Sequence, residues 1–450
     1  MSAGPGSLDA LPSPAEVLAV LSFRGGFNTN AVIAGTMLLG LAAGVVGVFA
    51  LLRRRALVAD AISHATLPGV VGAFFLAGAM GLDGRSLPVL LAGAAVSGVL
   101  GSLAIQAITR YTRLHEDAAI GIVLSVFFGA GVVLLSLAQS GHAGSAAGLN
   151  RFIYGQTAAM TPADATLMGG IALSAVLFVL ALGKELALVC FDDGFARAGG
   201  WPVGRLDLVI MALLVVVTAG GLQAVGLLLV IALLIIPPVA ARFWTDRLPV
   251  MIALSAGLGA LGGYAGSAIS SLLPGQPAGA VIVLVCGAVF LVSMLLAPRR
   301  GVLARARASL VMRLRMAADH LLEAAHDAPD PAAIPPEVIR DLARRRGWPR
   351  GFRPLLLRWL TLRGFFEREP GGRLRLTGRG RAGGARVSRN HLLWSQYLIS
   401  LADVDPGHVD WSVDRVEHVL TPEQVHRLED LLKARGVRIP DAPAGAGGSR

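Results

Sequence analysis

The chain has 450 residues, of which 54% are hydrophobic and 15% charged, and its mean hydropathy is +0.65. Those values exclude an ordinary soluble protein and fit one that crosses a membrane many times. The net charge of +11 leaves two sources open, cytoplasmic loop charge and a nucleic-acid-binding face. Cys190 and Cys286 lie too far apart in sequence to suggest a disulfide framework or a cysteine metal site.

Met1 to Pro14 carries no basic stretch ahead of an apolar core, so no cleavable signal is expected there. Ala15 to Phe23 suits a short interfacial helix. Apolar segments then predict spans at about 30–52, 57–79, 87–108, 118–139, 164–183, 206–222, 226–243, 248–272 and 279–297, about nine in all. The first is rich in Gly and Ala, the residues that let helices approach closely in lipid. Alternating these spans places Arg53, Arg54, Arg55, Arg110, Arg113, Lys184, Arg197, Arg205, Arg242, Arg247, Arg299 and Arg300 on one side. The other side receives only Arg24, Arg85 and Arg151. The excess of basic residues marks the cytoplasmic side, which puts the N-terminus outside and everything after residue 300 in the cytoplasm.

Inside the second segment stand Asp60 and His64, four residues apart and therefore on one helical face. An ionisable pair within a span is costly and marks a functional site, and oxygen with nitrogen donors suits zinc, manganese or iron in the divalent state. A second reading stays open: Asp60 as an interfacial N-cap after Arg55, with His64 hydrogen-bonded in the core. Pro68-Gly69, Gly220-Gly221 and Pro237-Pro238 are expected to interrupt their spans, as helix breaks do where they line a cavity or pack on neighbours. The longest inside loop, 184–205, reads KELALVCFDDGFARAGGWPVGR and predicts a short amphipathic helix able to dock a partner or lie on the membrane.

Taken together, LVADAISHATLPG from Leu57, EDAAIGIVL from Glu116, the loop with KEL and FDDGFARAG, LQAVGLLLVIALLIIP from Leu222 and LPGQPAGA from Leu273 carry a resemblance. Over about 25–298 the chain is similar to the permeases of bacterial ABC importers for zinc, manganese or iron. The resemblance implies a homodimer of eight or nine helices per subunit in the bacterial cytoplasmic membrane. It also implies a separate ABC ATPase and an extracytoplasmic metal-binding protein. Asp60 and His64 become pathway residues, and Phe191, Asp192, Phe195, Ala196 and Gly199 the segment that couples to the ATPase. No GxxxxGK[ST] phosphate loop occurs in the sequence, so the chain is expected to be a transport subunit and not an enzyme.

After Pro298-Arg299-Arg300 the composition changes. Helical periodicity over 310–325, a break at APDPAAIPP, a helix over 337–346, a turn at 347–351 and a helix over 354–362 come first. FFERE and RLRLT then read as two short strands about PGG, followed by a long helix over 378–401. That order predicts a winged-helix module. Its basic run, Arg373, Arg375, Arg379, Arg381, Arg386 and Arg389, could meet nucleic-acid phosphates or anionic lipid headgroups.

Farther on, His391 precedes Asp414, Glu417 and His418, whose spacing brings the last three to one surface. Without a thiolate, such donors lean toward manganese. Over about 310–436 the chain resembles iron- or manganese-dependent repressors. That resemblance implies a regulatory site for Mn2+, Fe2+ or Zn2+ at these four residues. It departs from the family at Ser395, where iron-type members keep an acid, and its first helix offers Asp319, His320 or Glu323 without a clear register.

The expected architecture is therefore an all-α polytopic membrane protein of about nine helices with a cytoplasmic winged-helix and helical metal-binding and dimerisation domain. Its expected parts are an N-terminal segment 1–24, a permease 25–300, a winged-helix part 301–385, a metal-binding part 386–436 and a disordered tail 437–450. The expected function is ATP-driven import of a divalent transition metal with cytoplasmic metal sensing. A membrane-tethered, metal-dependent transcription regulator is the alternative, and a secondary transporter that needs no ATPase is a third.

Overall fold

A computed structural model describes residues 12–53, 56–82, 86–140, 157, 160–273, 276–328, 334–349, 351–369, 373–400 and 422–437. Asp414, Glu417, His418, the PGG turn at 370–372 and the tail from 438 lie outside the described residues. The chain forms two compact units, Met1–Ala304 and Arg305–Arg450.

The first unit opens with α1 (Pro14–Leu21), started by a reciprocal cap in which Ser13 and Glu16 each accept from the other's backbone N–H. Then follow α2 (Phe27–Leu52), α3 (Ala56–Ala79), α4 (Leu87–Tyr111), α5 (Glu116–Ser140), α6 (Pro162–Phe191) and the short α7 (Asp193–Ala198). The unit closes with α8 (Val203–Val225), α9 (Leu227–Trp244), α10 (Leu248–Leu272) and α11 (Ala278–Leu296). Among the described residues eight helices are long and apolar enough to cross a membrane. The segment predicted at 226–243 is α9, an apolar helix of 18 residues. At 1.5 Å per residue it is about 27 Å long.

The centre of this unit is α2, which packs against α6, α8, α9 and α10. Its approach to α10 is set by small residues: a Cβ on Gly40 would collide with the Gly259 carbonyl, and one on Gly44 with the Ser255 carbonyl. With the backbones that close, the Thr36 hydroxyl donates to the Gly263 carbonyl at 3.1 Å and the Ser255 hydroxyl to the Gly44 carbonyl at 2.7 Å. A second group, α3 with α4 and α5, packs onto α8.

The expected interruptions are not breaks. Helix α3 runs through Pro68-Gly69, α8 through Gly220-Gly221 and α9 through Pro237-Pro238. The glycines serve close packing instead, since a Cβ on Gly69 would meet the Gly93 carbonyl of α4 and one on Gly220 would meet the Ile171 side chain of α6. Gly226 alone separates α8 from α9, and its φ of +84° favours glycine.

The second unit comprises α12 (Val302–His326, beginning just before it), α13 (Pro336–Arg345), α14 (Phe352–Leu362), β1 (Phe366–Arg368), β2 (Leu374–Leu376), α15 (Gly378–Ser400) and α16 (Pro422–Ala434). The strands pair antiparallel, Phe366 opposite Leu376. Their inward residues Phe366, Leu374 and Leu376 join Leu314, Leu321 and Leu322 of α12 and Leu356 and Leu360 of α14 in one core. Helix α15 lies tight on this core, because a Cβ on Gly380 would strike the Phe365 carbonyl and one on Gly384 the Leu322 carbonyl.

Candidate functional site

Helix α3 begins at Ala56, so Asp60 lies within its second turn and is not an N-cap. The other polar side chains nearby are satisfied by backbone: Ser63 donates to the Ala59 carbonyl, Thr66 to the Ser63 carbonyl, and Ser97 of α4 to the Ala65 carbonyl. Asp60 and His64 remain, with His64 Nε2 3.5 Å from Asp60 Oδ1 and both side chains half-buried. Phe128 of α5 meets the imidazole edge-on, ring centres 4.9 Å apart. His64 Nδ1 is buried without a hydrogen-bond partner among the described residues. Pro68 has no N–H for the carbonyl of His64, so that oxygen lacks its usual helical donor. Imidazole nitrogen, carboxylate oxygen and a backbone oxygen thus share one turn of an otherwise apolar helix.

One turn beyond His64 an apolar cavity of about 710 Å³ opens between α3, α4 and α5, lined among others by Gly69, Gly72, Ala73, Val96 and Phe127. Asp60 and His64 do not line it. Among the described residues no group of three or more His, Cys, Asp or Glu side chains could hold a metal ion. The described residues therefore offer a pair of side-chain donors here and not a closed cage.

The predicted coupling segment is an exposed corner. Phe191 ends α6, and the Asp192 side chain caps α7 by accepting from the Phe195 N–H at 2.8 Å. Ala196 is fully buried, which anchors the helix, whereas Phe191 and Phe195 are exposed at 61% and 65%. Gly199 closes the helix, and the next residue, Gly200, has φ +78° while the Trp201 N–H donates back to the Ala196 carbonyl at 3.0 Å. This six-to-one closure needs Gly200, and Trp201, the residue that makes it, is 43% exposed. Sequence reading missed both residues, although Gly-Gly after a helical stretch is a stop signal.

In the second unit His391 of α15 faces Glu323 of α12, Nδ1 to Oε1 3.2 Å. The first-helix partner without a register is thereby Glu323, and the other three predicted donors lie outside the described residues. His320 is buried and bonds instead to its own helix at the Met316 carbonyl. Ser395 likewise returns its hydroxyl to the His391 carbonyl at 2.8 Å.

The basic run is partly engaged within the unit. Arg375 pairs with Glu367 and Glu369, Arg381 donates to the Leu376 carbonyl, Arg379 stacks over Phe365, and Arg389 binds Glu429 of α16 at 2.6 Å. The hydrogen bond to Glu367 holds the Arg375 guanidinium above its ordinary pKa.

Comparison with known proteins agrees with this division. A family model described as the ABC 3 transport family matches residues 26–297, and one described as the iron dependent repressor, metal binding and dimerisation domain matches residues 377–437. A manganese transport system membrane protein of Bacillus subtilis, MntC, is 37% identical over 417 residues, 92% of this chain and 93% of that protein. A zinc transport system membrane protein of Treponema pallidum, TroC, is 44% identical over 277 residues, 62% of this chain and 91% of the relative. Among solved structures, PsaBC from Streptococcus pneumoniae in complex with Fab superposes with a TM-score of 0.53 at 33% identity, covering 64% of this chain and 98% of that one.

Proposed function

Since the chain belongs to the ABC 3 transport family and is a multi-pass membrane protein with a repressor-like C-terminal domain, we propose that it is the permease subunit of an ATP-driven importer of a divalent transition metal. The observation that carries the proposal is the Asp60–His64 pair on α3, unspent on backbone in a helix whose other polar groups are spent. Two donors hold a divalent ion weakly, and a two-fold homodimer doubles them to a set of four. Weak, exchangeable ligation is what a path requires, because an ion must leave as readily as it enters. Nitrogen with carboxylate oxygen suits manganese, zinc or iron, and the names of the relatives favour the first two.

The exposed Phe191, Phe195 and Trp201 around α7 suit docking to an ABC ATPase subunit, and an extracytoplasmic metal-binding protein delivers the ion. In this reading α9 completes a set of nine spans, which places residues 305–450 in the cytoplasm by the positive-inside rule. There α12 to α15 with the β1–β2 hairpin form a winged helix, and His391 with Glu323, Asp414, Glu417 and His418 forms a metal-sensing site. A site built from two imidazoles and three carboxylates fits a first-row divalent ion. Sensing can act back on transport, provided the site's affinity differs between transport states. The test of the import reading is manganese and zinc uptake by cells producing this chain with its ATPase and binding protein, native against Asp60→Ala and His64→Ala. Uptake unchanged at equal membrane abundance would remove both residues from the path.

A further inference from the structure

Arg53 ends α2, and its guanidinium is spent on three other elements at once. Its Nε and Nη2 both reach one oxygen, Oδ1, of the Asp207 carboxylate in the first turns of α8, at 2.9 and 2.8 Å. Its Nη1 donates to the Val189 carbonyl near the end of α6 at 3.1 Å and reaches Asp193, the first residue of α7, at 3.4 Å. The side chain is only 14% exposed and Asp207 19%. A guanidinium has a planar fork of five donors, so it can grip one carboxylate oxygen with two of them and still serve a carbonyl and a second acid.

Its place in the chain matters as much as its bonds. Ala56, three residues after Arg53, starts α3, the helix that carries Asp60 and His64. On the far side of the same guanidinium stands Asp193 in α7, and Asp193 in turn holds Arg197 one turn further on at 3.0 Å. Helices α2 and α3 make few contacts with each other, and α7 packs chiefly on its neighbours α6 and α8. The Arg53 cluster is thus a direct bonded link from the exposed α7 corner to the end of α2, three residues before α3 begins.

We infer that Arg53 is the positioning residue that transmits motion of α7 to α3, so that displacement of α7 by a docked partner moves α3 and carries the Asp60–His64 pair with it. The inference rests on the reading of α7 as the ATPase-docking segment and of Asp60 and His64 as the path. Because the guanidinium joins α6, α7 and α8 to the end of α2, a shift of α7 cannot occur with Arg53 fixed unless the Asp193 bond breaks. A purely structural role would predict only a loss of folded protein when the cluster is removed. A transmitting role predicts that ATP is still hydrolysed while fewer ions move.

The experiment uses the chain assembled with its ATPase in proteoliposomes, with Mn2+ as the ion and binding protein in excess, and measures ions moved per ATP hydrolysed. Arg53→Ala and Arg53→Gln are expected to lower that ratio about tenfold at equal amounts of assembled complex, the order of effect of mutations between coupled sites. Arg53→Lys, which keeps one charge but not the fork, is expected to fall between native and alanine. If the Arg53 variants fail to assemble, Asp193→Asn decides, because it weakens the α7 arm, together with the exposed Asp193–Arg197 pair within α7, and leaves the half-buried Arg53–Asp207 pair intact. Arg197→Ala, which removes only the pair within α7, is the control and is expected to keep the native ratio. A ratio equal to native in Asp193→Asn, or in assembled Arg53→Ala, would overturn the inference. Failure of the underlying reading looks different: the native complex would show no ATP-dependent uptake, or Phe195→Cys would give no crosslink to the ATPase. With uptake and crosslink both present, an unchanged ratio counts against Arg53 alone.

Discussion

On α3, Asp60 and His64 belong to one helix, a turn apart, with 3.5 Å between carboxylate and imidazole. In the second unit His391 and Glu323 come from two helices, α15 and α12, and meet at 3.2 Å. The first pair exists as soon as its helix forms, and its geometry varies little while the helix is intact. The second exists only when α15 docks against α12, so anything that draws His391 to another partner loosens that docking. A pair fixed within a helix keeps its donor spacing wherever the helix moves, which suits a point on a path, whereas a pair across a helix interface suits a sensor whose two states differ in packing. In the proposed reading, carboxylate and imidazole thus serve different ends according to whether one element or two hold them.

The largest effect should come from breaking the intrahelical pair. Asp60→Ala or His64→Ala is expected to reduce manganese or zinc uptake about 100-fold, at the upper end of what disturbing a metal's ligand environment costs, with membrane abundance unchanged. Asp60→Asn separates charge from shape: if the carboxylate is needed to attract a cation, the amide should behave like alanine. Uptake by Asp60→Asn at the native level would make the site one of hydrogen bonding and not of cation passage.

Next in size is the docking of α15. Arg389 of α15 and Glu429 of α16 pair at 2.6 Å with side chains only 15% and 13% exposed. Arg389→Met should cost the local structure about 3 kcal/mol, because it leaves the Glu429 carboxylate shielded from water without its guanidinium. Native-state hydrogen exchange of the α15 and α16 amides in the full chain measures that opening directly. Protection in α3 should stay as it was. A loss of protection spread equally over both units would contradict the division into two independently packed bodies.

How much of this was legible beforehand follows the same contrast. The span positions, the i,i+4 pair and the α7 corner are local properties, set by hydropathy, helical period and a capping aspartate, and the sequence is enough to find them. The pairing of His391 with Glu323 rather than with Asp319 or His320 depends on how two helices cross, and that crossing is set by Gly384 against the Leu322 backbone. No periodicity reports it. Gly220-Gly221 and Pro68-Gly69 misled for a related reason: glycine in a lipid-facing span signals either a break or a close neighbour, and only the presence of Gly93 and Ile171 decides for the neighbour. Arg53 was legible merely as loop charge, since its partners Val189, Asp193 and Asp207 are remote in sequence.

A smaller effect tests the sensor side. Glu323→Gln keeps the shape of α12 but removes the charge that faces His391, and it should weaken Mn2+ binding to the second unit of the full chain about tenfold. The change is read by titrating Mn2+ against the Asp60→Ala, His64→Ala protein with and without Glu323→Gln, so that the membrane pair does not contribute. Equal isotherms would leave Glu323 a packing partner of His391 and place the sensing donors elsewhere.

The smallest effect is expected at Arg375. It stands directly across the hairpin from Glu367, bonded at 2.9 Å, with Glu369 at 3.5 Å. Arg375 and Glu367 are about half or more exposed to water, which screens their attraction, and ordering two long side chains offsets what remains. The hydrogen bond to Glu367 raises the guanidinium pKa in the folded chain. A raised pKa contributes stability that is complete below the unfolded value and fades only as pH climbs through the folded one, a window far above any at which the protein is handled. Arg375→Ala should therefore leave the thermal midpoint unchanged from pH 6 to pH 9, within about the scatter of surface substitutions generally. If the hairpin instead grips an anionic surface, the variant would still melt as native does but lose salt-sensitive binding to DNA or anionic vesicles. Retained binding would mean that Glu367 and Glu369 have already claimed this arginine, leaving any such surface to the other members of the basic run.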